Sequence, residues 1–120
     1  MTWVLKGQNN RTEMYSALRA EVPVADDPAT LLNQQLVKTL ASHPQVVICG
    51  EAKSHCVNLT TRDLLSAWPK GRTAADIVVL EDATSPVPGC EADADKFFDD
   101  MRAAGVTLVK AADWKPKKAA

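Results

Sequence analysis

An excess of charge of one sign and a long apolar run are both missing from this sequence. Its 120 residues carry 14 Lys and Arg against 15 Asp and Glu, a formal net charge of −1. This balance provides no basic field for nucleic acid or for an anionic membrane. No apolar stretch approaches the roughly 20 residues of a transmembrane helix, and the N-terminus lacks the pattern of a signal peptide. We therefore expect one globular, cytoplasmic domain without a nucleic-acid or membrane partner.

Cysteines are few, and their spacing argues against two common roles. Cys49, Cys56 and Cys90 are an odd number at long separations, which disfavours a disulfide framework and favours a reducing compartment. Together with His43 and His55 they match no zinc-binding spacing, so we assign no metal ligand. A Cys-x-x-Cys pair is also missing. A thiol redox protein, in which Cys90 would have to resolve Cys56, is therefore the weakest of the functions considered.

Apolar runs alternate with segments of helical periodicity along the chain. Strands are predicted at residues 2–5, 45–49, 77–80 and 106–109, and helices at residues 28–41, 54–68 and 91–104. Such alternation implies right-handed crossovers and a mostly parallel sheet. The expected fold is a three-layer α/β/α sandwich of the Rossmann-like kind. We expect residues 1–113 to form the domain and residues 114–120 to be a frayed basic tail.

The segment at residues 50–61 carries the strongest chemical signal. Cys56 follows a predicted strand and a tight turn, and Ser54 or His55 could cap the helix that begins there. Unpaired backbone N–H groups and the positive end of a helix dipole favour a thiolate at such a position. Cys56 is therefore a candidate nucleophile. A small buried cysteine on a helix face is an equally weighted alternative.

Other polar side chains follow predicted strands as well. The carboxyl ends of parallel strands share one edge of a sheet, so Lys6, Cys56 and Asp82 could meet there although they are far apart in sequence. Lys53 lies nearer to the cysteine in sequence, but we expect it to be a solvated turn residue.

Several motifs follow one another in a fixed order. Ala52 lies four residues before Cys56, within Val47-Ile48-Cys49-Gly50-Glu51-Ala52-Lys53-Ser54-His55-Cys56-Val57. The flanking motifs are Leu5-Lys6-Gly7, Tyr15-Ser16-Ala17-Leu18, Val79-Leu80-Glu81-Asp82-Ala83 and Met101-Arg102-Ala103-Ala104-Gly105-Val106. Taken together, from about residue 3 to residue 109, they resemble the isochorismatase-like cysteine hydrolases, the superfamily that includes nicotinamidases.

The resemblance implies hydrolysis of a small-molecule amide at its C–N bond through a thioester acyl-enzyme, by a triad of cysteine, lysine and aspartate. It makes Cys56 the nucleophile and Lys6 the triad lysine. The backbone N–H groups of Ala52 and Cys56 would form an oxyanion hole, and the Glu51–Ala52 peptide bond would be cis. Possible substrate-pocket residues, for which ordinary packing and capping are an equal alternative, are Tyr15, Ser16 and His55.

The triad aspartate has no counterpart in this sequence. In the family it lies on an earlier strand, as do the metal ligands of nicotinamidases, whereas no Asp precedes Lys6 here. The resemblance therefore implies only the C-terminal part of the fold, incomplete at the N-terminus, with no cofactor in this chain and a gap between residues 2–5 and 45–49. An incomplete sheet exposes an edge that invites association. We expect a homo-oligomer or a complementing N-terminal segment, unless the chain repacks.

Two functions thus remain open. One is an amidase of unspecified substrate, with little or no turnover from this chain alone because the aspartate is missing. The other is a catalytically inactive fragment or interaction subunit that needs a partner.

Overall fold

The chain alternates helices and strands throughout. The computed structural model describes residues 1–118, so the last two residues of the predicted tail lie outside the described part. The helices are α1 (Gln34–Ala41), α2 (Cys56–Ser66) and α3 (Glu91–Ala103), and the strands are β1 (Val46–Ile48), β2 (Ile77–Leu80) and β3 (Thr107–Val109). Short 3-10 helices at Pro28–Thr30 and Ala74–Asp76 precede α1 and β2.

The strands form a parallel sheet in the order β1-β2-β3. Val46 pairs with Ile77, and Val79 pairs with Leu108. Every connection between neighbouring strands contains a helix, as parallel pairing requires. The predicted α/β class with a parallel sheet is confirmed.

The main hydrophobic cluster lies against one face of this sheet. Because side chains alternate along a strand, the register places Val46, Ile77 and Val79 on the same face. These residues form one hydrophobic cluster with side chains from all three helices, namely Val37, Val57, Leu64, Phe97, Phe98 and Met101. Burial of this cluster fixes the position of α2, and therefore of the segment that leads into it.

The C-terminal segment returns along the length of the sheet. Ala111 N–H donates to Asp82 beyond the carboxyl end of β2, whereas Lys117 N–H donates to the Gln45 side chain just before β1. Lys117 Nζ also lies 2.9 Å from the Asp76 carboxylate, at the amino end of β2. The expectation of a frayed tail is therefore wrong as far as Lys117, because this lysine finds a buried acidic partner.

Two predicted elements differ in the structure. Residues 2–5 do not form a strand, and Trp3 and Leu5 are 83% and 78% exposed. No strand within residues 1–118 lies beside them, and an extended segment without a partner cannot form a hydrogen-bonded ladder. Within residues 1–118, β1 has only one strand neighbour, β2, so its other edge is open.

The predicted helix at residues 28–41 is interrupted. Asp27 caps the 3-10 helix as expected, with its side chain accepting from Ala29 N–H, but Leu31 is extended. The α-helix then begins anew after Asn33, whose side chain accepts from Leu36 N–H at 3.0 Å. Local hydrogen bonds of the buried Thr30 with Val24 and Asp27 compete with helix continuation at this point.

Candidate active site

Cys56 is the first residue of α2 and is half-buried. The turn before it begins at Gly50, whose φ of +113° lies in a region that favours glycine. The Ala52 carbonyl accepts hydrogen bonds from both His55 and Val57, which fixes the approach to the helix. His55 occupies the N-cap position but makes no side-chain capping bond. The thiol therefore lies at a defined strand–turn–helix junction.

Lys6 reaches this junction from the other end of the chain. Its Nζ lies 3.5 Å from Cys56 Sγ, across 50 residues of sequence, and donates to the Met14 carbonyl at 3.0 Å. The loop after Met14 is attached to α2, because Ala17 N–H donates to Thr60 Oγ1 at 2.9 Å. An ammonium group beside a thiol favours the nucleophilic thiolate form. The arrangement thus has the charge that an activated cysteine needs.

Asp82 does not join this pair. Its carboxylate accepts the N–H of Ala111 at 2.8 Å, in the loop after β3. Among residues 1–118, no carboxylate forms an ion pair with Lys6. The expectation that Asp82 meets Lys6 and Cys56 is therefore wrong, because the neighbouring loop provides a backbone donor for this carboxylate.

The backbone around Cys56 offers donors without acceptors. The Glu51–Ala52 peptide bond is cis. Within the described part of the chain, the N–H groups of Ala52 and Cys56 donate to no protein acceptor. Unpaired, preorganised N–H groups next to a nucleophile are the arrangement that stabilises a developing oxyanion. Their participation in an oxyanion hole remains a prediction.

The loop after β2 holds the cysteine segment in place. Gly50 N–H donates to the Ala83 carbonyl at 2.9 Å, and Lys53 N–H donates to the Ser85 carbonyl at 2.8 Å. Ser85 in turn donates to the Glu51 carboxylate through its N–H at 3.1 Å and its hydroxyl at 3.0 Å. Ser85 carries no signal in the sequence. No local pattern marks a serine whose partner lies 34 residues away.

The predicted pocket residues have different surroundings. The rings of Tyr15 and His55 are 5.5 Å apart between centroids, with 54° between their planes. Ser16 is 1% exposed and accepts the N–H of Leu18 at 3.0 Å, in line with the packing and capping alternative. Lys53 lies in a turn, as predicted, but it is half-buried, and its Nζ lies 3.7 Å from the centre of the Phe98 ring. The expected solvation is wrong because an aromatic face lies within reach of this side chain.

Neither a metal-ligand cluster nor a membrane-spanning helix is found within the described residues. Residues 1–118 contain no group of three or more His, Cys, Asp or Glu side chains placed to hold a metal ion. The residues described here therefore do not fit the metal of the nicotinamidase members. In the same part of the chain, no helix is both long and apolar enough to cross a membrane.

The fold and the site together define an α/β protein with a cysteine and a lysine paired at a strand–turn–helix junction. Solved structures with the same fold are a nicotinamidase/pyrazinamidase of Acinetobacter baumanii (24% identity, TM-score 0.60), a pyrazinamidase of Pyrococcus horikoshii in complex with zinc (23%, 0.61) and PnC1 from L. infantum in complex with nicotinate (26%, 0.63). The predicted isochorismatase-like fold is confirmed by this likeness.

The likeness covers most of this chain but only part of each neighbour. It includes 85–89% of this chain, whereas the chain spans 44–49% of the length of the three structures. No protein-family model matches the sequence, and no curated protein matches it. The comparison therefore supports the fold, and the activity has to be argued from the residues.

Proposed function

We propose that Cys56 is the nucleophile of an isochorismatase-like hydrolase that cleaves a small-molecule amide at its C–N bond. The observation that best supports this proposal is the 3.5 Å distance between Lys6 Nζ and Cys56 Sγ. The thiolate attacks the carbonyl carbon, and a C–S bond forms as the carbonyl π electrons move to oxygen. The free N–H groups of Ala52 and Cys56 bind this oxyanion. Collapse to the thioester breaks the C–N bond, and water then releases the acid and restores the thiol.

The leaving amine must gain a proton when the C–N bond breaks. In the triad implied by the resemblance an aspartate transfers it, and no carboxylate of residues 1–118 hydrogen-bonds Cys56. We infer that this acid comes from a segment outside the described residues. The chain alone should therefore react with substrates whose leaving group needs no proton, and should turn over amides slowly or not at all.

An activated ester tests the nucleophile separately from the missing acid. We expect p-nitrophenyl acetate to acylate Cys56 faster than the exposed Cys49, as measured by peptide mass spectrometry of the full chain. The nitrophenolate leaves as an anion and needs no protonation. Cys56→Ala should remove the fast adduct, and Cys49→Ala should leave it in place. Equal acylation of both cysteines would contradict the proposed role of Cys56.

The open edge of β1 supports the second candidate, an interaction subunit. Val47 is 36% exposed on the sheet, and the apolar segment at residues 2–5 is unpaired. A second copy or a separate N-terminal segment could add a strand there by main-chain pairing. We propose self-association, in a cytoplasmic setting that suits the free cysteines. Sedimentation velocity should show a concentration-dependent dimer that Val47→Lys weakens, and a monomer at all concentrations would argue against this association.

A further inference from the structure

Asn58 is a polar side chain buried in the first turn of α2. It is 8% exposed and lies two residues after the proposed nucleophile, Cys56. Its Nδ2 donates to the Ser54 carbonyl at 3.2 Å, and its Oδ1 accepts from Arg62 Nε at 2.7 Å. A carbonyl only accepts and a guanidinium only donates, so the two partners fix which way the amide points. Asn58 thus joins the turn before Cys56 to the second turn of the helix.

The Ser54 carbonyl depends on this side chain. Ser54 is 5% exposed, and among residues 1–118 only the amide of Asn58 donates to its carbonyl. In a regular α-helix the backbone N–H four residues later would donate there. The backbone N–H of Asn58 has no acceptor in the described part of the chain, whereas that of Leu59 donates to the His55 carbonyl. The side chain of Asn58 therefore replaces its own backbone N–H, and α2 begins at Cys56 instead of one residue earlier.

An ion pair between two helices holds the other end of the Asn58 amide. Arg62, which donates to this amide, lies 2.8 Å from the Asp100 carboxylate of α3. Hydrogen bonds from Lys96 and from Arg62 hold the pKa of Asp100 below its usual 3.8, so the carboxylate is ionised at neutral pH. The guanidinium also lies over the buried Phe97 ring, 6.0 Å from its centre. The orientation of Asn58 therefore depends on the packing of α3 against α2.

We propose that Asn58 is a positioning residue for Cys56. By occupying the Ser54 carbonyl, its side chain sets the start of α2 and holds the thiol 3.5 Å from the ammonium of Lys6. Without this side chain the buried carbonyl needs another donor, and the backbone N–H of residue 58 is the regular helical one. The helix would then begin one residue earlier, and the turn that carries the thiol would move relative to the lysine. The inference rests on the proposed amide hydrolysis and adds a residue to its site.

Threonine and valine at position 58 test this hydrogen bond at nearly constant shape. A threonine hydroxyl can donate to the carbonyl four residues earlier, as Thr61 does to Val57 in the same helix at 2.7 Å. Asn58→Thr should therefore retain a bond to Ser54 and keep the wild-type reactivity of Cys56. Asn58→Val has the same shape without the hydroxyl and should lose both.

The rate of iodoacetamide labelling at Cys56 is the functional readout, with Cys49 as the internal reference. We expect Asn58→Val to label roughly two- to six-fold more slowly at neutral pH, the size that loss of the nearby Lys6 charge would produce, and Asn58→Thr to match the wild type. Thr39→Val removes the same kind of bond in α1, where the hydroxyl donates to the carbonyl four residues earlier at 2.9 Å, and should change nothing. Equal rates in Asn58→Thr and Asn58→Val would overturn the proposal.

Backbone ¹³C chemical shifts of His55 report where α2 begins without any reaction at the thiol. In the wild type His55 has φ −129° and ψ −88°, which is not helical, and we expect the same shifts in Asn58→Thr. In Asn58→Val the shifts should become helical, because the backbone N–H of residue 58 takes over the Ser54 carbonyl. A folded Asn58→Val variant with unchanged His55 shifts would overturn the proposal.

These readouts separate the positioning role from the proposed function. If p-nitrophenyl acetate acylates Cys56 of the wild type no faster than Cys49, the proposed function fails, and the His55 shifts still decide whether Asn58 sets the start of α2. If Cys56 is acylated as expected while Asn58→Thr and Asn58→Val label alike, only the further inference fails.

Discussion

Replacing Lys6 by methionine tests the central contact of the site. The substitution keeps the apolar stem and removes the ammonium that lies 3.5 Å from Cys56 Sγ. Two opposite unit charges 4 Å apart interact by about 1 kcal/mol in water and about 4 kcal/mol in a protein-like surface environment. Because Lys6 is half-buried, we take a loss of about 1–2 kcal/mol of charge–charge interaction, which is a factor of roughly 5–30 in an equilibrium.

The rate of alkylation should fall by less than this factor. A thiolate that loses its stabilising cation becomes intrinsically more nucleophilic, with a Brønsted coefficient of about 0.4–0.5. The two effects together predict that iodoacetamide labels Cys56 roughly two- to six-fold more slowly in Lys6→Met than in the wild type at neutral pH. Peptide mass spectrometry provides the rates, with Cys49 and Cys90 as internal references in the same sample.

Matched variants decide whether the charge is responsible. Lys53→Met removes a different ammonium, in the turn just before α2, that lies over the Phe98 ring. It should leave the labelling rate of Cys56 unchanged. Lys6→Arg retains a positive charge and should lose less than Lys6→Met. An unchanged Cys56 rate in Lys6→Met would refute the electrostatic argument. A parallel change at Cys49 would show that the substitution has disturbed the fold instead.

Three further results are expected. Phe97→Ala should lower the free energy of unfolding in urea by about 3–5 kcal/mol, because this fully buried ring packs within the core cluster; a loss below 1 kcal/mol would mean that the site collapses around the cavity. Lys117→Met should lower the free energy of unfolding by about 1 kcal/mol at neutral pH. Hydrogen bonds from Lys117, and less strongly from Arg72, hold the pKa of Asp76 below its usual 3.8, so the ion pair stabilises the fold above that pH. The difference between Lys117→Met and the wild type should therefore vanish as the pH falls through the pKa of folded Asp76, and a pH-independent difference would exclude the ion pair as its cause. Ser85→Ala should slow the acylation of Cys56 by p-nitrophenyl acetate, because Glu51 loses its hydroxyl partner. Ser42→Ala should not, because the Ser42 hydroxyl donates to the Thr39 carbonyl at the end of α1.

Local patterns in the sequence predicted much of the fold but only part of the site. The apolar runs that form β1, β2 and β3 are recognisable without knowledge of their partners, and the most continuous of them, β2, is the most deeply buried strand. Residues 2–5 have a similar apolar pattern and fail to form a strand, because a strand also depends on a neighbour that no local pattern reveals. An apolar pattern thus indicates which segments can be buried, whereas a neighbouring strand decides whether a segment forms a hydrogen-bonded ladder.

The wrong predictions about three side chains have a common cause, because each side chain contacts a group that is distant in sequence. Asp82 accepts a backbone N–H, Lys53 lies over an aromatic face, and Lys117 pairs with a buried carboxylate. Sequence spacing gives the edge of the sheet at which a residue lies but not which of several nearby groups it contacts. The resemblance and the shared sheet edge together predict that Lys6 lies near Cys56, and the structure adds the 3.5 Å distance.

The position of Lys6 does not depend on the sheet. Its ammonium is held by the Met14 carbonyl, and the loop that follows is attached to α2 through Ala17 and Thr60. Cys56 is carried by the same helix, so the lysine and the thiol share one support although residues 2–5 pair with no strand. A segment added at the open edge of β1 would therefore meet a cysteine–lysine pair that is already assembled. Sheet pairing at the open edge and proton transfer to the leaving group are consequently separate questions, and the sedimentation and acylation experiments examine them independently.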